Sequence, residues 1–364
     1  MYNLSKSDKA CLLLPLTEML GVKKRFEFLS LFDDIGEIFD TYRERREDII
    51  AFTGDKFYEK LCELIETNAV DLLIDECVAL GIVPISYTSC RYPDKLKQIF
   101  SPPVVIFCKG RVELLDNKSS LGVVGTRRAS RYAIDVTKRF CADLSTNGVT
   151  IVSGMAKGID GCAHLSTLDS NGDTIAVFGC GVDRVYPAEN RHIYERLIVD
   201  GLVVSEYLPK TEPMPYRFPE RNRIVVGLSD GILVVEAGEK SGSLITLDLA
   251  IEEGRECFIV PQNVDTRTGR GSNERLRAMP DALVIEPQDI LKRFGIKEKG
   301  DNITDSIQLD FIEMKIVEIL ELGERHFDEL LDLLDIKASE LTGILTRLEI
   351  MGVVKDLGSN FYGV

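Results

Sequence analysis

No run of apolar residues in this 364-residue chain approaches the ~20 that a membrane span needs. The first residues are polar, so neither a spanning segment nor a signal peptide is expected. Paired cysteines are missing too: nine are scattered singly, never as C-x-x-C. That pattern reads as the reduced thiols of a cytosolic protein and excludes a disulfide framework. Histidine is scarce, since only His164, His192 and His326 occur, far apart, and no His/Cys cluster has zinc spacing. Positive charge is in deficit: 44 basic residues face 59 acidic ones, a net −15 that by itself argues against a polyanionic partner. Three catalytic or nucleotide signatures are absent as well. Gly179-Cys180-Gly181 is followed three residues on by Arg184, which breaks the dinucleotide pattern; no glycine stands five residues before Gly238, which rules out a Walker A loop; and no G-x-S-x-G elbow occurs. What remains is ordinary globular composition, 45% hydrophobic and 28% charged, with length for two or three domains.

Residues 1–70 read as helices, with Leu12, Leu13 and Leu16, then Phe26 and Leu29, then Phe57, Leu61, Leu64 and Ile65 at helical spacing. Leu20 to Lys24 interrupts the first run like the joint of a helical hairpin, and a further helix, Asp71 to Leu80, should close at Gly81. From Leu121 the texture changes. Short Val/Ile-rich runs end in glycine-bearing turns and lead into amphipathic helices, again and again, to about Glu286. Such alternation predicts a parallel sheet covered on both faces, an open Rossmann-like α/β domain. Residues 288–304 are poor in apolar groups and suit a linker. Residues 305–364 then offer helices at Phe311–Leu322, Phe327–Leu334 and Ala338–Ile350 and a hairpin around Gly358-Ser359-Asn360, the order of a winged helix.

Ligands of open α/β sheets sit beyond the carboxyl ends of the strands, where these glycine turns fall. Glycines permit close backbone approach, helix N-termini offer unpaired N–H groups, and Arg127, Arg128, Lys157, Arg221 and Arg223 lie in or beside the turns. An anion, above all phosphate, is the expected occupant. Asp160, Asp183, Glu206 and Glu236 at strand ends can be read as acid/base groups or as structural caps. The stretch from Tyr207 to Asn222, with Pro209, Pro213 and Pro215, reads as a loop. Its aromatics beside arginines fit a single-stranded nucleic-acid platform, or equally an apolar anchor that packs the loop down.

The residues resemble a known family. V-G-T-R at Val124–Arg127, S-G-M-A-K-G-I-D-G-x-A-H at Ser153–His164 and G-C-G-V-D-R-V-Y-P-A-E-N-R at Gly179–Arg191 stand in order. They are followed by S-E-Y at Ser205–Tyr207, F-P-E-R-N-R-I-V-V-G-L-S-D at Phe218–Asp230 and V-V-E-A-x-x-x-S-G-S-L-I-T at Val234–Thr246. This string resembles the DNA-processing protein A (DprA/Smf) family across nearly the whole chain. The resemblance implies an extended Rossmann-like core over residues 71–287, between an N-terminal helical domain (1–70, of the SAM or helix-hairpin-helix kind) and a C-terminal winged helix (305–364). It further implies a cytoplasmic, non-enzymatic protein without cofactor or metal. Such a protein binds single-stranded DNA during natural transformation and recombination, protects it, helps load the RecA recombinase, and forms a homodimer through the Rossmann-like domain. Carried over by position, Arg127 contacts phosphate. Ser153, Gly154, Lys157 and Gly158, with Ser241, Gly242, Ser243 and Thr246, form the anion pocket. Phe218, Arg221 and Arg223 line the strand groove. Gly125, Gly179 and Gly181 shape the loops, and Asn222 fixes the geometry of its own.

This chain departs from the family pattern in places. Pro261-Gln262 replaces the usual Pro-Gly, Gly271-Ser272-Asn273 replaces a glycine-threonine-asparagine turn, and Gly21 stands alone where paired glycines are usual. These changes bear on the pocket edge and on DNA contact by the N-terminal domain. A rival from another class is a nucleoside-monophosphate phosphoribohydrolase on a related fold, although its P-G-G-x-G-T-x-x-E loop is missing; a winged-helix transcription factor with a sensory α/β domain is a third reading. Charge bears on the last. Residues 305–364 hold five basic residues against thirteen acidic ones, and Ala338–Ile350 carries only Arg347 against Glu340 and Glu349. A helix presented to duplex phosphate should be basic, so this module is expected mainly to contact protein or regulate the core, and not to read the major groove. By segment the net charge is −4 over 1–120, −4 over 121–287 and −7 over 288–364, which leaves room for a basic groove on the central domain.

Overall fold

Val, Ile and Leu run together without polar alternation in six short segments, and such runs are stable only when both faces are covered. The computed structural model describes residues 4–297, 311–334 and 336–363. In it these segments and two earlier ones form an eight-stranded sheet: β1 (Val83–Ser86), β2 (Val105–Gly110), β3 (Ser120–Val124), β4 (Thr150–Ser153), β5 (Thr174–Phe178), β6 (Leu202–Ser205), β7 (Gly231–Val234) and β8 (Glu256–Ile259). The order is β1-β2-β6-β5-β4-β3-β7-β8. Strands β3 to β8 pair in parallel, while β2 joins β6 antiparallel and β1 joins β2 in the same sense. Every residue of β3, β4 and β5 is buried. The core is a Rossmann-like α/β layer extended by two antiparallel edge strands.

The N-terminal region supplies α1 (Lys6–Thr17), α2 (Val22–Leu29), α3 (Arg46–Thr53), α4 (Asp55–Glu66) and α5 (Ala69–Leu80). Ser5 starts α1 with a capping box: its hydroxyl accepts from the Asp8 N–H at 3.1 Å, and the Asp8 carboxylate accepts from the Ser5 N–H at 2.9 Å. Gly81 ends α5 at φ 65°, the left-handed turn expected of it. No break in packing falls at residue 70. Leu13, Leu61, Leu73 and Cys77 share one apolar cluster with Val105, Phe107 and Val203 of the sheet. The chain separates into two compact units, Met1–Glu298 and Lys299–Val364, so the helices of residues 1–70 belong to the same unit as the sheet.

Helices α6 (Arg131–Thr146), α7 (Ile159–Asp169), α8 (Arg191–Asp200), α9 (Arg217–Gly227), α10 (Gly242–Glu252), α11 (Arg270–Ala278) and α12 (Pro287–Arg293) are the longer helices that follow β3 in the first unit. Two of them correct the sequence reading. The expected linker begins inside α12, whose Ile290 and Leu291 are buried with Phe140, Phe258 and Val284; residues 298–304 lie outside the described residues. The expected loop from Tyr207 to Asn222 turns helical at Arg217. Pro219 is tolerated there because N–H groups in a first turn have no helical partner.

The second unit has the order α13 (Phe311–Glu321), β9 (Arg325–His326), α14 (Phe327–Leu334), α15 (Ala338–Ile350), β10 (Lys355–Gly358) and β11 (Phe361–Gly363). Its three strands form a small antiparallel sheet, β10-β11-β9, and Ile316, Leu330, Leu341, Leu345 and Val354 make its core. The two-residue β9 is too short to leave a periodic signal in the sequence.

Candidate nucleic-acid interface

The chain lays β3, β4, β5 and β6 outward in one direction, then returns to place β7 and β8 on the other side of β3. At such a reversal the helices after the two inner strands leave on opposite faces and open a crevice. Val124 lies opposite Val234 in the register, so the loops after β3 and β7 begin side by side. Between them is a cleft of about 300 Å³ whose lining includes Gly125, Arg127, Asp160, Phe218, Asn222 and the Ser241–Ser243 turn. A smaller recess of about 60 Å³ adjoins it, with Arg127, Gly154, Lys157, Tyr186 and Phe218 in its wall. Arg127 and Phe218 border both.

Two residues meet the expectation of a free ligand group most directly. Arg127 and Arg128 are exposed, and neither side chain makes a hydrogen bond or ion pair among the described residues. The N-terminus of α10 faces the same cleft through Ser241, Gly242 and Ser243. Ser241 caps the helix and shares a 2.7 Å hydrogen bond with the Ser243 hydroxyl, while Thr246 lies buried in the lining. The first N–H groups of a helix and its dipole favour an anion at that point.

The loop after β4 is shaped by two tight approaches. Gly158 has φ +79°, and a Cβ there would run into the Thr126 carbonyl. At Gly154 a side chain would overlap the Arg221 guanidinium. Asn190 braces the same loop, donating to the Met155 carbonyl at 3.0 Å and the Ala156 carbonyl at 3.2 Å. Sequence reasoning gave that bracing role, for a neighbouring loop, to Asn222; the structure puts Asn222 on α9, lining the cleft. Gly125 packs against Ile159, Gly179 against Phe218 and Gly181 against Leu208, each at a strand end.

Two expected ligands are placed elsewhere, and a third is held in the cleft wall. Arg221 lines the cleft but is only 4% exposed and donates to the Val177 carbonyl. Burial depresses its pKa, against the pull of the Asp160 carboxylate. Asp160, also buried at the cleft floor, is pushed up by burial and drawn back by Arg221 and by backbone N–H groups of the Gly154–Ala156 turn. Arg223 pairs with buried Glu206 and donates to the Ser101 carbonyl at 2.7 Å, so it ties α9 to the segment before β2. Ser153 is buried and donates to the Val123 carbonyl at 2.6 Å. Burial explains the corrections at Arg223 and Ser153, neither of which lines the cleft or the recess, whereas Arg221 stays in the cleft wall with its guanidinium largely covered. Lys157 is exposed at the recess and pairs with Glu189.

Phe218 stacks on Tyr186, with ring centroids 5.1 Å apart and planes 27° from parallel. Tyr186 is 43% exposed, so the pair presents an aromatic surface. Sequence reasoning does not place Tyr186 at the groove; the signal that could have recruited it is the family motif G-C-G-V-D-R-V-Y-P that contains it. Arg217 places its guanidinium 4.8 Å from the Tyr207 ring centre, on the neighbouring face of α9's first turn.

His164, wholly buried on α7, shares a 2.7 Å hydrogen bond between Nδ1 and the Thr174 hydroxyl. Burial, then repulsion from Arg221, lowers its pKa from 6.5 to about 3. The folded chain therefore keeps a neutral ring where the unfolded chain takes up a proton. This group's share of stability is full above pH 6.5 and is lost as pH falls toward about 3. Unfolding free energy should decline by ~1.4 kcal/mol per pH unit across that window. His164→Asn should flatten the decline in urea titrations, and an unaltered slope would sink the assignment.

Gln262, where the family has glycine, is buried and donates through Nε2 to the Val235 carbonyl at 2.6 Å; its backbone N–H donates to Asn273 Oδ1 at 2.9 Å. Ser272 Oγ accepts the Ala237 N–H at 2.9 Å. Among the described residues no helix is long and apolar enough to cross a membrane, and no cluster of three His, Cys, Asp or Glu could hold a metal ion.

Residues 84–295 match the family model described as DNA recombination-mediator protein A. The chain is 42% identical to the DNA processing protein DprA of Bacillus subtilis over 181 residues, which cover 50% of this chain and 61% of that protein. It is 40% identical to the Streptococcus pneumoniae DprA over 203 residues, 56% of this chain and 71% of that one. The match thus spans less than two thirds of the Bacillus protein. The solved DprA structure from S. pneumoniae superposes with a TM-score of 0.69 at 30% identity, covering 80% of this chain and 99% of that one. DNA processing protein A from Helicobacter pylori, whose structure is described for its single-stranded DNA binding mode, gives 0.53 at 29% identity over 58% of this chain and 94% of that one. The match to the family model takes in the whole cleft and runs from β1 through α12; this chain belongs to the DNA recombination-mediator protein A family.

Proposed function

We propose that this chain binds single-stranded DNA in the cleft at the sheet's reversal point, protects the strand during natural transformation and recombination, and helps to load a RecA-type recombinase onto it. The observation that carries the reading is the junction of three features: two unpaired arginines, Arg127 and Arg128, the N-terminus of α10, and the stacked Tyr186–Phe218 surface. Guanidinium and helix N–H groups suit phosphate, and an exposed ring suits an unpaired base. The likeness to the H. pylori protein of that binding mode supports the same occupant. The role is a non-catalytic, cytoplasmic one in which a homodimer joins two clefts through the Rossmann-like cores. We read the second unit as a winged helix whose acidic character directs it to a protein partner.

The test is a comparison of single- and double-stranded oligonucleotides of equal length at two salt concentrations. Preference for the single strand is expected, with affinity falling as salt rises; equal binding of both forms overturns the reading. Incubation with nucleoside monophosphates should release no base, and turnover there would favour the phosphoribohydrolase alternative. A further expectation concerns Glu189, the partner of Lys157. Both side chains are exposed, so the pair is weak in itself but competes with phosphate for the ammonium group. Glu189→Gln should tighten single-strand binding by about two- to threefold at low salt, read by fluorescence anisotropy; weaker binding would show that the pair holds the recess open instead.

A further inference from the structure

We infer that Glu236 is the positioning residue of the phosphate-binding loops, an inference that rests on the cleft being the strand-binding surface. Glu236 follows β7 and is 1% exposed. Its Oε2 accepts the Ser130 N–H at 2.8 Å, and its own carbonyl accepts the Thr126 N–H at 2.8 Å. Those two donors bracket Arg127 and Arg128. One residue of β7's end therefore fixes both ends of the loop that carries the unpaired arginines. The other carboxylate oxygen, Oε1, accepts from the Thr268 hydroxyl at 2.7 Å. Thr268 belongs to the segment after β8, next to Arg267, which is exposed and makes no side-chain hydrogen bond or ion pair among the described residues. Three chain segments, two of them bearing free cations, meet on this one side chain.

Electrostatics alone gives no reason for a carboxylate there, because a buried negative charge under the loops repels the anion they attract. Its hydrogen bonds supply the reason. Both oxygens are satisfied, so the group is held, and the loop is held by it. A glutamine can reproduce the geometry: its carbonyl takes the Ser130 N–H and its amide donates to the Thr268 hydroxyl. Position 236 thus separates geometry from charge. The strand end survives the test as well, since Ala237 is fixed independently by Ser272.

The experiment measures anisotropy of a labelled oligo(dT) with the full chain across a salt series, for wild type, Glu236→Ala, Glu236→Gln, Arg127→Ala and the Glu236→Ala/Arg127→Ala double variant. Glu236→Ala should weaken binding about tenfold and lower the salt slope by roughly the 0.7 that loss of one phosphate contact removes. Glu236→Gln should stay within about twofold of wild type. In the Arg127→Ala background the Glu236→Ala change should cost clearly less than it does alone, because one of the cations it positions is already gone. Wild-type affinity in Glu236→Ala, an equal loss in Glu236→Gln, or an undiminished loss beside Arg127→Ala each overturns the inference. Should Glu236→Ala fail to fold, Thr268→Val decides, since Thr268 is exposed: a two- to threefold loss is expected and an unchanged affinity and slope overturns it. If the wild type itself does not hold the oligonucleotide, the binding reading falls and this one with it. If Arg127→Ala weakens binding and the position 236 variants do not, only the positioning role falls.

Discussion

Arg127→Ala lowers the affinity for single-stranded DNA by about tenfold or more at low ionic strength, and it flattens the dependence of log affinity on log salt by roughly 0.7. The size of the effect follows from the state of the side chain. It lies between the cleft and the recess, is exposed, and has no partner to lose when phosphate arrives. A charge-assisted contact from such a group is gained in full, without an internal ion pair to break first. Stability should change little, because the guanidinium makes no hydrogen bond or ion pair among the described residues and reaches buried Asp160 and Arg221 only through its field. Thermal melting of the variant should therefore overlay the wild type while oligonucleotide titrations at two salt concentrations separate them. Unchanged affinity and slope would remove Arg127, and with it the cleft, from the interface.

Arg221→Leu should do the opposite: destabilise the fold by about 3–5 kcal/mol, the usual consequence of removing one member of a buried charged set. Arg221 fills the space beside Gly154, donates to the Val177 carbonyl and supplies the positive field that draws the buried Asp160 carboxyl back against the upward push of burial. Its loss leaves that carboxylate uncompensated and the carbonyl without its partner. Urea denaturation should show the drop, and adding Asp160→Asn to Arg221→Leu should restore part of it, since the stranded charge is then gone. Undiminished stability together with lost DNA binding would return Arg221 to the role of phosphate ligand.

The contrast between these two arginines shows where sequence reasoning carries and where it stops. Strands β3 to β8 are legible because both-face burial leaves continuous Val/Ile runs, and the loops after them are legible because glycine marks their turns. Whether an arginine at a strand end points to solvent or inward is set by tertiary packing. Arg127 and Arg221 stand in equally arginine- and glycine-rich motifs, yet only the second faces a glycine with room for its guanidinium. Arg223 is hidden for a related reason, since its partner Glu206 and its acceptor Ser101 are remote in sequence. The helix at Arg217 was masked by three prolines before it and a fourth inside its first turn, where proline costs little. Glu236 could be read as an acid/base group or a cap; only the positions of Ser130 and Thr268 decide for the second.

Several cations in the loops near the cleft have an acidic neighbour: Lys157 has Glu189, Arg184 has Glu212 and Arg270 has Glu239. Together with the net charge of −15, this gives the surface a long-range field of one sign and a short-range pit of the other. On the proposed reading, arrival and retention of a polyanion should respond to ions in opposite ways: screening eases the approach past the acidic flanks and at the same moment loosens the grip at Arg127. Ligand thickness becomes a criterion of its own. A single flexible strand can bring one phosphate at a time to the loop tips, whereas a stiff double strand must press its whole charge against the carboxylates on either side. Selectivity of this kind comes from turning the wrong ligand away at a distance.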